Sequence, residues 1–82
     1  MKAYAITIEG YHENPFRVRA CLVETDAEAK VVAEKFFYET WNLTPGSPLP
    51  DTDWTAEVWN EAGEHVGRFT AYYQKDKVPV WT

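Results

Sequence analysis

With 82 residues and a net charge of −5, the chain has room for one domain, residues 1–82, built on one modest hydrophobic core. The single cysteine, Cys21, excludes an internal disulfide and with it a disulfide-stapled secreted scaffold. No stretch approaches the roughly 20 apolar residues of a membrane-spanning helix, and no apolar leader-like run follows Met1-Lys2. A cytoplasmic location is therefore expected.

Lys2 to Glu9 alternate, with Tyr4, Ile6 and Ile8 on one side and Ala3, Ala5 and Thr7 on the other. This period of two predicts a strand. Residues 10–15, Gly-Tyr-His-Glu-Asn-Pro, are rich in turn formers. After them Phe16, Val18, Ala20 and Leu22 alternate with Arg17, Arg19, Cys21 and Val23, a second strand. So short a connection suits an antiparallel hairpin, because a parallel return needs a crossover of about a dozen residues.

Thr25-Asp26-Ala27-Glu28 fits a capping box, with acidic residues favourably placed in the first turn. Ala29, Val32, Ala33, Phe36, Phe37 and Trp41 then recur at spacings of three and four, which predicts one amphipathic helix from Asp26 to Trp41. Lys30, Glu34, Lys35, Tyr38 and Glu39 are expected on its outer side, and Asn42 and Pro45 as its stop. Residues 42–53 carry three prolines and predict a long loop, either a stiff link or a functional segment.

Trp54, Ala56 and Val58 alternate with Thr55, Glu57 and Trp59 in a third strand. Asn60-Glu61-Ala62-Gly63 predicts a turn, and residues 65–74 a returning strand with Phe69 and Ala71 inward and Gly67 marking a bulge. Val78-Pro79-Val80-Trp81 suits a short edge strand, where proline is tolerated. The expected fold is α+β: an antiparallel sheet of four or five strands in the order ββαββ, with one helix packed on one face. Arg17, Arg19, Glu57 and Trp59 are expected on the other, partly open face.

Motifs for bond-making chemistry are missing. Cys21 lies mid-strand between Ala20 and Leu22, a setting for an inert thiol, and Ser47 sits between prolines with no catalytic motif around it. His12 and His65 are far apart, and no zinc, calcium or phosphate-binding motif is present. The expectation is a non-enzymatic protein without a cofactor or metal. Charge is unevenly placed: residues 40–67 hold Asp51, Asp53, Glu57, Glu61 and Glu64 with no Lys or Arg. An acid-only segment disfavours nucleic-acid binding, which needs cations to displace counterions, and suits a basic protein surface. Asp51, Asp53, Glu57, Glu61 and Glu64, with Trp59 as an aromatic anchor, are the candidate partner-binding residues.

A short chain that opens Met1-Lys2-Ala3-Tyr4 directly into a strand, with one helix after Glu24-Thr25-Asp26-Ala27, looks like many small phage and mobile-element proteins. In size, acidity and layout it resembles anti-CRISPR proteins, without a shared motif. That resemblance implies an inhibitor that occupies a basic nucleic-acid-binding surface of a Cas effector, its carboxylates standing in for DNA phosphates. Three alternatives remain open. One is an accessory interaction module, or a homodimer built on the open sheet face, without inhibitory role. Another is a small enzyme or cofactor-binding protein. The last is an RNA-binding sheet on which Trp59 and Tyr72 stack bases while Arg17 and Arg19 meet phosphates.

Overall fold

A computed structural model describes residues 1–9, 17–42, 54–72 and 77–82 of the chain. The elements run β1 (Lys2–Glu9), β2 (Arg17–Val23), α1 (Asp26–Trp41), β3 (Trp54–Asn60), β4 (His65–Ala71) and β5 (Val80–Trp81). They form one α+β unit, a five-stranded antiparallel sheet in the order β2-β1-β3-β4-β5 with α1 between β2 and β3 in sequence. The long loop expected at 42–53 lies outside the described residues beyond Asn42, as do Asp51 and Asp53.

The helix begins where its cap dictates. Thr25 is extended, its hydroxyl accepts from the Glu28 amide at 3.1 Å, and the Glu28 carboxylate returns to the same hydroxyl. It ends at Asn42, which adopts a left-handed conformation (φ 53°) and turns its amide back to the carbonyls of Tyr38 and Glu39. Asparagine is one of the few residues besides glycine that takes this conformation readily.

The core forms between α1 and the sheet face carrying Tyr4, Ile6, Ile8, Trp54, Ala56, Val58, Phe69 and Ala71. Ala29, Ala33, Phe36 and Phe37 fill it from the helix. Phe37 meets Phe69 edge-on at 5.5 Å, and Tyr38 approaches both rings. Trp41 lies against Trp54 at 4.1 Å.

The register between β3 and β4 steps from Val58 opposite Gly67 to Trp59 opposite His65, so Val66 is an extra residue. The bulge expected at Gly67 is thus present beside it, with Val66 turned towards the core. Gly67 also lies at a close approach: a Cβ there would stand 3.0 Å from the Lys30 Cε and 3.3 Å from the Trp81 ring, so both side chains would have to give way slightly. Trp81 is docked by the helix, donating from Nε1 to Glu34 at 2.6 Å, with the Lys30 ammonium 5.4 Å from its ring centre. Lys30, Glu34 and Tyr38, expected to face outward, are therefore half-buried around β5 and the core edge.

One expected orientation is reversed. Arg19 pairs with Ile6, Arg17 with Ile8 and Cys21 with Tyr4, and directly opposed residues share a face. Arg17 and Arg19 thus stand on the helix side, while Val18, Ala20 and Leu22 take the open face. The reason is local. The Arg19 guanidinium covers the Phe36 ring at 4.4 Å and reaches Glu39 at 3.5 Å, so a long amphipathic side chain closes the core edge.

Candidate functional site

The uncovered sheet face is where side chains are both displayed and organised. On β3 it carries Thr55, Glu57 and Trp59, on β1 Ala5 and Thr7, on β4 His65, Arg68 and Thr70, and on β2 Val18, Ala20 and Leu22. Trp59 is opposite Ala5 on one side and His65 on the other. Its indole N–H donates to the Thr7 hydroxyl at 3.1 Å, and the His65 ring meets it at 5.0 Å. The anchor is thereby half-buried and held in one orientation.

Glu57 sits beside it and is committed. Arg68, its cross-strand neighbour, places Nε and one terminal nitrogen each 3.0 Å from a single Glu57 oxygen, and His65 Nε2 lies 3.1 Å from the same atom. Glu57 therefore anchors a charge cluster on the face and does not offer a bare carboxylate to a partner.

Glu61 and Glu64 are exposed in the turn that joins β3 to β4. Asn60 shapes that turn: its side-chain oxygen accepts from the Glu64 amide at 2.8 Å and its amide nitrogen donates to the Glu64 carboxylate at 3.1 Å. Gly63 supplies the left-handed residue (φ 83°). Neither glutamate meets a cation among the described residues. The structure so brings Glu57, Trp59, Glu61 and Glu64 to one end of the β3–β4 hairpin.

A shallow cleft of about 430 Å³ opens beside this turn, lined by Lys2, Tyr4, Asp26, Asn60 and Glu61 among others. The Tyr4 hydroxyl donates to Asp26 there, and this bond, with burial, pushes the phenol pKa up to about 12. The phenol is a bound donor at neutral pH, not a base. Burial likewise pushes the Cys21 thiol up, against the pull of Arg19, which keeps it from thiolate chemistry. No group of three or more His, Cys, Asp or Glu side chains converges for a metal ion among the described residues. No helix among them is long and apolar enough to cross a membrane.

The apolar strip of Val18, Ala20 and Leu22 escaped sequence reasoning because the strand's two alternating sets are both partly apolar. Val18 and Leu22 are 57% and 64% exposed, which in a chain with so small a core is a conspicuous surface. The Glu57–Arg68 pair had a usable signal, since a hairpin about residues 60–64 brings the two strands' polar positions together.

No protein family matches the chain, no curated protein is significantly similar to it, and no solved structure matches its fold.

Proposed function

We propose that the chain is a non-enzymatic protein-binding domain that engages its partner through the uncovered sheet face around Trp59. The observation that carries this reading is the fixed indole. Trp59 is tied to Thr7 and braced by His65, while an exposed apolar strip lies on the same face. Rigid aromatics next to apolar surface are the residues on which binding energy concentrates. The domain would act in the cytoplasm, where Cys21 stays reduced.

A second reading is favoured by the exposed carboxylates of Glu61 and Glu64, which no cation among the described residues meets. In it the chain is a phage-type, anti-CRISPR-like inhibitor and DNA mimic. Its acidic turn, with Asp51 and Asp53 of the same acid-only segment, occupies the basic channel of a Cas effector subunit. The RNA-binding alternative loses support, because Arg17 and Arg19 stand on the helix side and Arg68 is held by Glu57.

One experiment separates the first two. Tagged wild-type chain, Trp59→Lys, a Glu61→Lys/Glu64→Lys double variant and, as control, Lys35→Glu on the exposed helix surface are each used to capture proteins from source-cell lysate. The first reading expects loss of the captured partner with Trp59→Lys alone. The second expects loss with the double charge reversal, and a captured Cas subunit. Identical captures by all four proteins would sink both.

A further inference from the structure

The two edges of the sheet are unlike. At one, β5 has two residues preceded by Pro79, and Trp81 is clamped by Glu34 and Lys30. Short strands and prolines of this kind stop a sheet from recruiting another strand. At the other edge, β2 runs for seven residues without proline. No described strand pairs with its outer side, and Arg17, Val18, Arg19 and Ala20 are all exposed. Arg19 on this strand lies folded over Phe36 towards Glu39, on the helix side of the sheet.

We propose that two copies of this chain pair antiparallel along their β2 edges, about a two-fold axis at Ala20, to make one continuous sheet. Ala20 is the midpoint of Arg17–Val23, so this register pairs every residue of the strand. On the open face it sets Val18 of each copy against Leu22 of the other and Ala20 against Ala20. Six exposed apolar side chains, three from each copy, are thereby brought into cross-strand contact. On the helix face Arg19 meets Cys21 and Arg17 meets Val23, so each cation faces a neutral residue. Moving the axis to Arg19 would oppose two guanidinium groups and leave strand residues unpaired. Moving it to Cys21 would also leave residues unpaired and separate Val18 from Leu22. Charge and apolar pattern thus select the same register, and the outer backbone groups of β2, which no described strand meets, find donors and acceptors in an identical strand. The pairing does not depend on the role given to Trp59. It would set two uncovered faces side by side.

A pair of seven-residue strands lies at the small end of specific interfaces, below roughly 1,200 Å², so association is read over a range of about 10–500 μM chain. Sedimentation equilibrium of the intact chain should show the mass rising from 9.5 kDa towards twice that value. Ala20→Lys, which opposes two lysines at the axis, should hold the mass at 9.5 kDa with an unchanged thermal melt; Leu22→Lys serves as the second variant. Directly opposed residues have Cα atoms about 4.5–5.5 Å apart, within disulfide reach. Ala20→Cys in a Cys21→Ser background should therefore form a cross-linked dimer on oxidation, whereas the wild type should not. A wild-type mass fixed at 9.5 kDa at every concentration overturns the proposal, including the case in which a foreign strand covers β2. So does a dimer that survives both lysine variants, or one cross-linked through the native Cys21.

Discussion

The two faces of the sheet are built by the same strands, residue by alternate residue, and they divide the work between them. The helix-side face carries Ile6, Ile8, Val58 and Phe69 in continuous apolar contact with Phe36 and Phe37, and no charged side chain among the described residues is fully buried there. The other face carries hydrogen-bonded and ion-paired groups, Trp59 on Thr7 and Glu57 on Arg68 and His65, beside exposed Val18 and Leu22. Stability is concentrated on one side of a single layer, which leaves the other free to vary in chemistry without threatening the fold.

The contrast can be broken most forcefully at Phe37, which is fully buried and central to the ring contacts. Phe37→Ala should cost about 3–5 kcal/mol by urea denaturation, enough to threaten a domain of this size. A smaller effect is expected across the sheet. Glu57→Gln removes the Arg68 ion pair of the open face and the carboxylate beside His65, yet should cost about 1 kcal/mol or less, because Arg68 and His65 are solvent-exposed. Comparable losses from the two variants would erase the distinction between the faces.

The subtlest probe is a polar atom at the rim of the covered face, the Tyr4 hydroxyl. Its pKa is raised from 10.0 to about 12 by the bond to Asp26, so the folded state favours the neutral phenol. The stabilisation is complete below pH 10 and is lost as pH rises through 12. Tyr4→Phe should flatten that part of the stability–pH curve. It should also remove a step near pH 12 from the ultraviolet titration of the tyrosines.

Much of this was legible in the chain itself. The capping pair Thr25 and Glu28 places the helix start, and the alternation of Tyr4, Ile6, Ile8 and of Trp54, Ala56, Val58 identifies two core strands. The orientation of β2 was not legible, because hydrophobicity does not decide the face of an edge strand when an arginine can cover an aromatic ring as Arg19 covers Phe36. Strand order was equally hidden, since the pairing of β1 with β3 has no local signature. The candidate site was half legible. Trp59, Glu61 and Glu64 are displayed as expected, but Glu57 is neutralised by an arginine that only the hairpin register brings opposite it.

That seam between β1 and β3 also governs how the chain reaches its structure. The β1–β2 and β3–β4 pairs are sequence neighbours, and each closes a short loop. Setting Ala5 against Trp59 instead joins segments far apart in the sequence and encloses β2 and the helix within one long loop. Loop-closure entropy must be met before that contact returns any energy, which marks this docking as the slow step of folding. Substitutions at Ile6 or Val58, on the two sides of the seam, should therefore slow folding more than they speed unfolding.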